Sequence, residues 1–312
     1  MASLAEIRAK LAAAEGNNKG GSSTGGDNAI YPHWNMEEGS STTLRFLPDA
    51  NTKNTFFWQE RAMIRLPFAG IKGQMDSKQT IVQVPCMEMW QETCPVLTEV
   101  RGWFKDKSLE DMGRKYWKKR SYIFQGFVRE NPMTDEKTPE NPIRRFIIGP
   151  QLFTLIKSAL MDPELEEMPT DLLRGLDFRI TKTAKGGYAD YNTSKWARKE
   201  SALTEQEQAA IETHSLWDLS TFLPKKPDDA AVKVIKEMFE ASVDGAAYDT
   251  ERWGNYFRPA GVSAPAGSSD STPAPQAVFA APAAAAPVPA PTATKSPNAV
   301  DILAQIRARQ QK

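Results

Sequence analysis

The chain has 312 residues, and its 39 Lys+Arg balance 39 Asp+Glu to a formal net charge of zero. A quarter of the residues are charged and 40% are hydrophobic, a globular composition long enough to bury a core without covalent staples. The expectation is a cytoplasmic protein: no apolar run reaches the ~18–20 residues of a membrane span, the first eight residues lack a secretory pattern, and two cysteines make no disulfide framework.

Residues 2–14 predict a short amphipathic helix, with Leu4, Ile7 and Leu11 on one face. Residues 16–27 hold five glycines and three Ser/Thr, the composition of a flexible linker. Lys19-Gly20-Gly21-Ser22 lacks the spacing and flanking elements of a phosphate loop and belongs to that linker. Together 1–27 form an N-terminal arm, and 28–257 form one folded body. Within it, Thr42 to Pro48 predicts a strand ended by proline. Further β-like runs occupy 56–66, 80–84, 116–129, 144–148 and 178–183, with Phe124 and Phe127 expected in the core. Pro150 suits the first turn of a helix carrying Leu152, Leu155, Ile156 and Ala159 on one stripe. Thr204 and Glu207 form a capping box, and Val232, Ile235 and Phe239 mark another helix closed near Gly245. Short strands with inserted helices predict a mixed β architecture, a small barrel carrying helical elaborations. Residues 258–298 are Pro/Ala-rich, with nine prolines and 13 alanines between 259 and 297, and read as an extended tether. Residues 299–312 predict a short helix whose Leu303-Ala304-Gln305-Ile306-Arg307 nearly repeats Leu4-Ala5-Glu6-Ile7-Arg8.

The zero net charge is a sum of blocks. Residues 101–130 carry nine bases against four acids, and 174–199 carry seven against two, while 162–171 hold five acids and no base. Aromatics interleave with both basic blocks, in Tyr116-Trp117-Lys118-Lys119-Arg120-Ser121-Tyr122 and in Lys185-Gly186-Gly187-Tyr188-Ala189-Asp190-Tyr191 followed by Lys195-Trp196. Cations neutralise phosphates and flat rings stack on unpaired bases, a pairing of features that favours single-stranded nucleic acid over duplex. A Gly-Gly turn flanked by polar residues would hold Tyr188 outward.

On Arg45-Phe46-Leu47-Pro48, Cys94-Pro95-Val96, Lys118-Lys119-Arg120-Ser121-Tyr122 and 188–195, with a weaker anchor at Asp218-Leu219-Ser220, the chain resembles the helix-destabilising single-stranded DNA-binding proteins of T-even-type bacteriophages. The likeness covers most of 44–239. It implies an OB-fold β-barrel core with flexible N- and C-terminal arms, whose basic, aromatic cleft holds single-stranded DNA. The implied DNA-binding residues are Arg45, Lys118, Lys119, Tyr122, Tyr188 and Tyr191, extended to Tyr116, Arg120 and Lys195. The implied role is to coat and protect unpaired DNA cooperatively, without sequence specificity, during phage DNA replication, recombination and repair in the cytoplasm of the infected host. The N-terminal arm would mediate self-association along the DNA.

Two departures from the family stand out. Its zinc site uses one His and three Cys; here Cys86 and Cys94 remain, Leu97 replaces the last Cys, and no His lies between His33 and Cys86. The expectation is a fold without zinc or another cofactor, with Met87, Trp90, Val96 and Leu97 packing in place of the metal. The family's tail is acidic, whereas from 258 onward this chain has five bases and two acids. The C-terminal helix would then be the hook for phage replication and recombination proteins. Alternatives are a single-stranded RNA-binding protein of the same fold and a metal-dependent nuclease. No catalytic motif supports an enzyme, and the acidic 162–167 stretch lacks the spacing of a calcium loop.

Overall fold

A computed structural model describes residues 28–74, 77–134, 139–165, 167–260 and 262. The arms at 1–27 and beyond 262, including both terminal helix expectations and the tether, lie outside the described residues.

Among the described residues nine strands form: β1 (Ser41–Leu47), β2 (Gln59–Phe68), β3 (Thr80–Pro85), β4 (Lys119–Glu130), β5 (Arg144–Ile148), β6 (Leu176–Thr181), β7 (Thr183–Lys185), β8 (Tyr188–Asp190) and β9 (Lys195–Glu200). Seven make one antiparallel sheet in the order β3-β2-β4-β1-β6-β9, with β5 added on β4; β7 and β8 form a separate hairpin. Six helices accompany them: α1 (Pro95–Trp103), α2 (Glu110–Tyr116), α3 (Pro150–Leu160), α4 (Glu205–His214), α5 (Asp229–Val243) and α6 (Thr250–Trp253). The result is a mixed α/β protein with a mostly antiparallel sheet, and among the described residues no pairing joins the sheet's ends into a closed barrel.

The twelve-residue β4 organises the sheet. Its first half pairs with β2 and its second half with β1, along the same edge, while β5 takes the other edge at 122–126. β1 and β2 therefore lie end to end, with Leu47 opposite Gln125 and Gln59 opposite Ile123. At the β1–β4 crossing only glycine fits: a Cβ on Gly126 would sit 1.9 Å from the Arg45 carbonyl oxygen.

Two main cores result. The first packs β2 and β3 against α1, α2 and α5, with Ile64, Leu66, Val82, Val84, Val96, Leu97, Ile235 and Phe239 buried. The second lies on the β1–β4–β5–β6 face and is rich in phenylalanine, with Phe46, Phe57, Phe124, Phe146 and Phe178. Phe127 joins a smaller third cluster with Leu47, Ile143 and Leu203.

Several local expectations are met. Thr204 Oγ1 accepts from Glu207 N–H while Glu207 reaches back to Thr204 N–H, closing the capping box. Pro150 opens α3, and Leu152 and Ile156 are buried. Gly245, at φ +73°, follows the last turn of α5. Other expectations are corrected. The run 116–129 is not one strand: α2 ends at Tyr116, Trp117 turns the chain, and β4 begins at Lys119. The run 56–66 starts too early, because 49–58 is a loop and β2 extends to Phe68.

Candidate nucleic-acid interface

The junction between α2 and β4 makes an open concavity of about 440 Å³, lined by Trp117, Lys118, Lys119, Arg120 and Pro150. Trp117 leaves the helix with extended backbone, so the three cations that follow emerge at the start of β4, beside the first turn of α3. Lys119 and Arg120 are exposed; Lys118 is half-buried. Each has a partner. Lys118 Nζ and Arg101 both donate to the Glu88 carboxylate, Arg120 lies 3.4 Å from Glu60 Oε1, and Lys119 Nζ donates to the Arg114 carbonyl at 2.9 Å. Partial burial, with Arg65 nearby, lowers the Lys119 pKa below its ordinary value.

An aromatic ladder leads away from this concavity. Tyr122, two residues beyond Arg120 on the same strand face, stacks on Phe153 of α3 with centroids 3.4 Å apart and planes 10° from parallel. Phe153 meets Trp58 edge-on at 5.3 Å, and Trp58 stacks on Phe56 at 4.7 Å and 28°. Phe56 is 57% exposed. Burial, then the nearby Glu60 carboxylate, raises the Tyr122 hydroxyl pKa.

The β7–β8 hairpin approaches from the other side of α3. Gln151 in that helix's first turn donates to Asp190 and accepts from Tyr191 N–H at 3.3 Å. Gly186 and Gly187 take φ +61° and +80° between paired Lys185 and Tyr188, the geometry of a type I′ turn. Tyr188 is 80% exposed there. Tyr191 is half-buried, with its ring 6.0 Å from His33, and burial raises its pKa. Lys195 is exposed at the start of β9.

The structure thus gathers Lys118, Lys119, Arg120 and Tyr122 in one place, sets Tyr191 beside the neighbouring helix, and leaves Tyr188 and Lys195 exposed on the β7–β9 segment. Three expected contact residues are corrected. Tyr122 is 7% exposed and belongs to the second core, with one face of its ring covered by Phe153. Arg45 is 0% exposed; its guanidinium donates to Asp171 O at 2.6 Å and Ser201 Oγ at 3.1 Å, 3.6 Å from Asp177. Burial, then neighbouring Arg129, lowers its pKa. Tyr116 is 1% exposed, donates its hydroxyl proton to Ser242 O at 3.0 Å and packs edge-on against Phe239. Arg45 and Tyr116 are interior residues that hold the sheet and α5.

The sequence pattern did not single out Phe56, Trp58 or Phe153, and it named Trp117 only among the interleaved aromatics. For Phe153 a signal existed, since it lies beside the Leu152–Ile156 stripe and not on it; Phe56 and Trp58 were hidden by their reading as strand.

The cysteine pair does not fit a structural zinc site. Cys86 and Cys94 are buried in the first core with Met87, Val96 and Leu97, and Trp90 packs at its edge. No group of three or more His, Cys, Asp or Glu is placed to hold a metal among the described residues, where such a site needs four good ligands. The closeness of the two buried thiols pushes the Cys86 pKa up and the Cys94 pKa down.

No protein-family model matches the chain, and no curated protein matches it.

Proposed function

We propose that this protein is a non-enzymatic binder of single-stranded DNA that coats unpaired strands without sequence preference in phage replication, recombination and repair. The observation that carries the reading is the gathering of Lys118, Lys119 and Arg120 around the half-buried Trp117 ring in one open concavity. Phosphates would exchange for Glu60 and Glu88 as partners of Arg120 and Lys118, releasing counterions, while bases lie on the accessible rings of Trp117 and Tyr188. Preferential binding to the unpaired state destabilises duplexes by mass action. An OB-type core belongs with this reading; that fold is a partly open barrel, and β4, shared between β1 and β2, supports it. So do cooperative self-association through 1–27, recruitment of replication proteins through 299–312, and a place in the host cytoplasm. No helix among the described residues is long and apolar enough to cross a membrane.

The test is a tryptophan-fluorescence titration with single-stranded DNA, single-stranded RNA and duplex DNA at several salt concentrations. Tight quenching by single-stranded DNA that weakens steeply with salt is expected. Equal affinity for duplex overturns the reading, and preference for RNA replaces it with the RNA-binding alternative. Magnesium-dependent loss of the oligonucleotide would assign the nuclease instead.

A further inference from the structure

The loop between β1 and β2 is built to hold aromatic rings out. It leaves β4 opposite Gln125 and returns opposite Ile123, so the excursion of residues 48–58 is not needed to connect two distant strands. Asp49 is its hub. One carboxylate oxygen accepts from the backbone N–H groups of Asn51 at 3.1 Å and Leu219 at 3.0 Å. The other accepts from Asn54 Nδ2 at 2.8 Å and Gln59 Nε2 at 3.4 Å. Asn54 extends the network: its Nδ2 also donates to Trp58 O at 3.1 Å, and its Oδ1 accepts from Phe56 N–H at 3.1 Å.

This scaffold sorts three consecutive aromatics. Phe57 points into the second core, Phe56 faces solvent, and Trp58 lies between, stacked on Phe56 and touching Phe153. Folding alone gives no reason to fix an exposed phenyl ring with two side-chain-anchored turns. A flat ligand does, because a ring held in place loses no rotamer freedom on stacking. The outer face of Phe56 also continues a ring series that runs through Trp58, Phe153 and Tyr122 to Arg120 and the basic concavity.

We propose that the 49–59 loop is a preformed stacking arm that takes an unpaired nucleobase on Phe56, with Asp49 as its positioning residue. The inference rests on the single-strand reading and adds a base site beyond the Lys118–Arg120 concavity. Lys53, exposed on the same loop, supplies a cation for the adjoining phosphate.

The experiment compares two probes on the full chain: oligothymidylate, and an abasic oligonucleotide of equal length that keeps the phosphates and lacks bases. A stacked base contributes ~1–3 kcal/mol, so Phe56→Ala should weaken oligothymidylate binding roughly 5- to 150-fold. Binding of the abasic probe should not change, nor should the salt slope on either probe. Phe56→Trp should restore binding, while Phe56→Leu, which keeps apolar area without a flat ring, should not. Asp49→Asn should produce a smaller loss on oligothymidylate only, and no further loss in the Phe56→Ala background. Unchanged oligothymidylate affinity in Phe56→Ala, with the wild type binding single strands tightly, overturns the arm and leaves the reading standing. Equal losses on both probes also overturn it, by assigning Phe56 a structural role. A wild type that binds neither probe overturns arm and reading together.

Discussion

The two main cores use aromatic rings in opposite ways. In the first, Trp103 stacks on Phe239 at 5.7 Å, Tyr116 meets Phe239 edge-on, and all three are buried beneath α1, α2 and α5. In the second, the ring network begins at Phe46 and Phe124 and continues through Trp58 and Phe153 to exposed Phe56. The first network ends inside and serves stability. The second ends at the surface, beside cations, and is available to a ligand. An aromatic-rich sequence block therefore says little until the structure shows where its ring contacts terminate.

Deleting a ring from the closed network should give the largest effect. Phe239→Ala should cost about 3–5 kcal/mol in denaturant unfolding, through lost burial and the cavity left behind. The affinity of the protein that remains folded for single-stranded DNA should be unchanged. A specific loss of binding with near-normal stability would erase the contrast between the cores.

The next effect sits at the margin of the second core. His33 is buried between Trp34 and Tyr191, and burial holds its pKa down to about 4, with Lys182 pushing the same way. The folded state therefore resists protonation that the unfolded chain accepts near its ordinary value of ~6.5. Between about 6.5 and 4 the unfolded state binds more protons, so stability is full above that window and is lost as pH falls through it. The loss should reach up to about 3 kcal/mol by pH 4, and His33→Gln should flatten the slope over that range in pH-dependent chemical denaturation. An unchanged slope in the variant would place the acid sensitivity elsewhere.

The smallest effect lies where the first region reaches toward the second. Glu88, in the 3-10 turn Met87–Trp90, holds both Arg101 and Lys118. Glu88→Gln frees two cations for phosphate, and since such pairs contribute ~0.2–1 kcal/mol, single-strand affinity should rise by roughly 1.5- to 5-fold. The salt slope should steepen with it. Weaker binding would mean that the Glu88 pairs orient Lys118 instead of restraining it.

Features encoded within a few residues were legible. Thr204 with Glu207, Pro150 ahead of Leu152 and Ile156, and Gly186-Gly187 before Tyr188 each specify local geometry by capping, a fixed φ or positive φ. Features set by distant segments were not. Arg45 alternates with Leu44 and Phe46, so strand period alone puts it on an outward face. That face is covered by the segment carrying Asp171 and Ser201, more than a hundred residues away. Tyr116 and Tyr122 sit in one continuous run, yet one ends a helix and the other lies on a strand. The charge blocks also overstate free cations, because Arg129 is spent on a two-pronged pair with Glu207 and a bond to Asp177. Lys119 and Arg120 remain exposed because they stand at the helix–strand junction, while Lys118 beside them is half-buried against Glu88.

The place of β1 between β4 and β6 has a consequence for synthesis. Ser41 pairs with Thr181, so the ribosome must add about 140 residues after Ser41 is made before that edge of the strand can be satisfied, on the order of ten seconds. For about the first 80 of those residues, until β4 is made, both edges of the strand are open, and after that the β6 edge still is. A nascent chain of this protein is thus most exposed to mispairing at its first strand, and a holding chaperone would be most useful there.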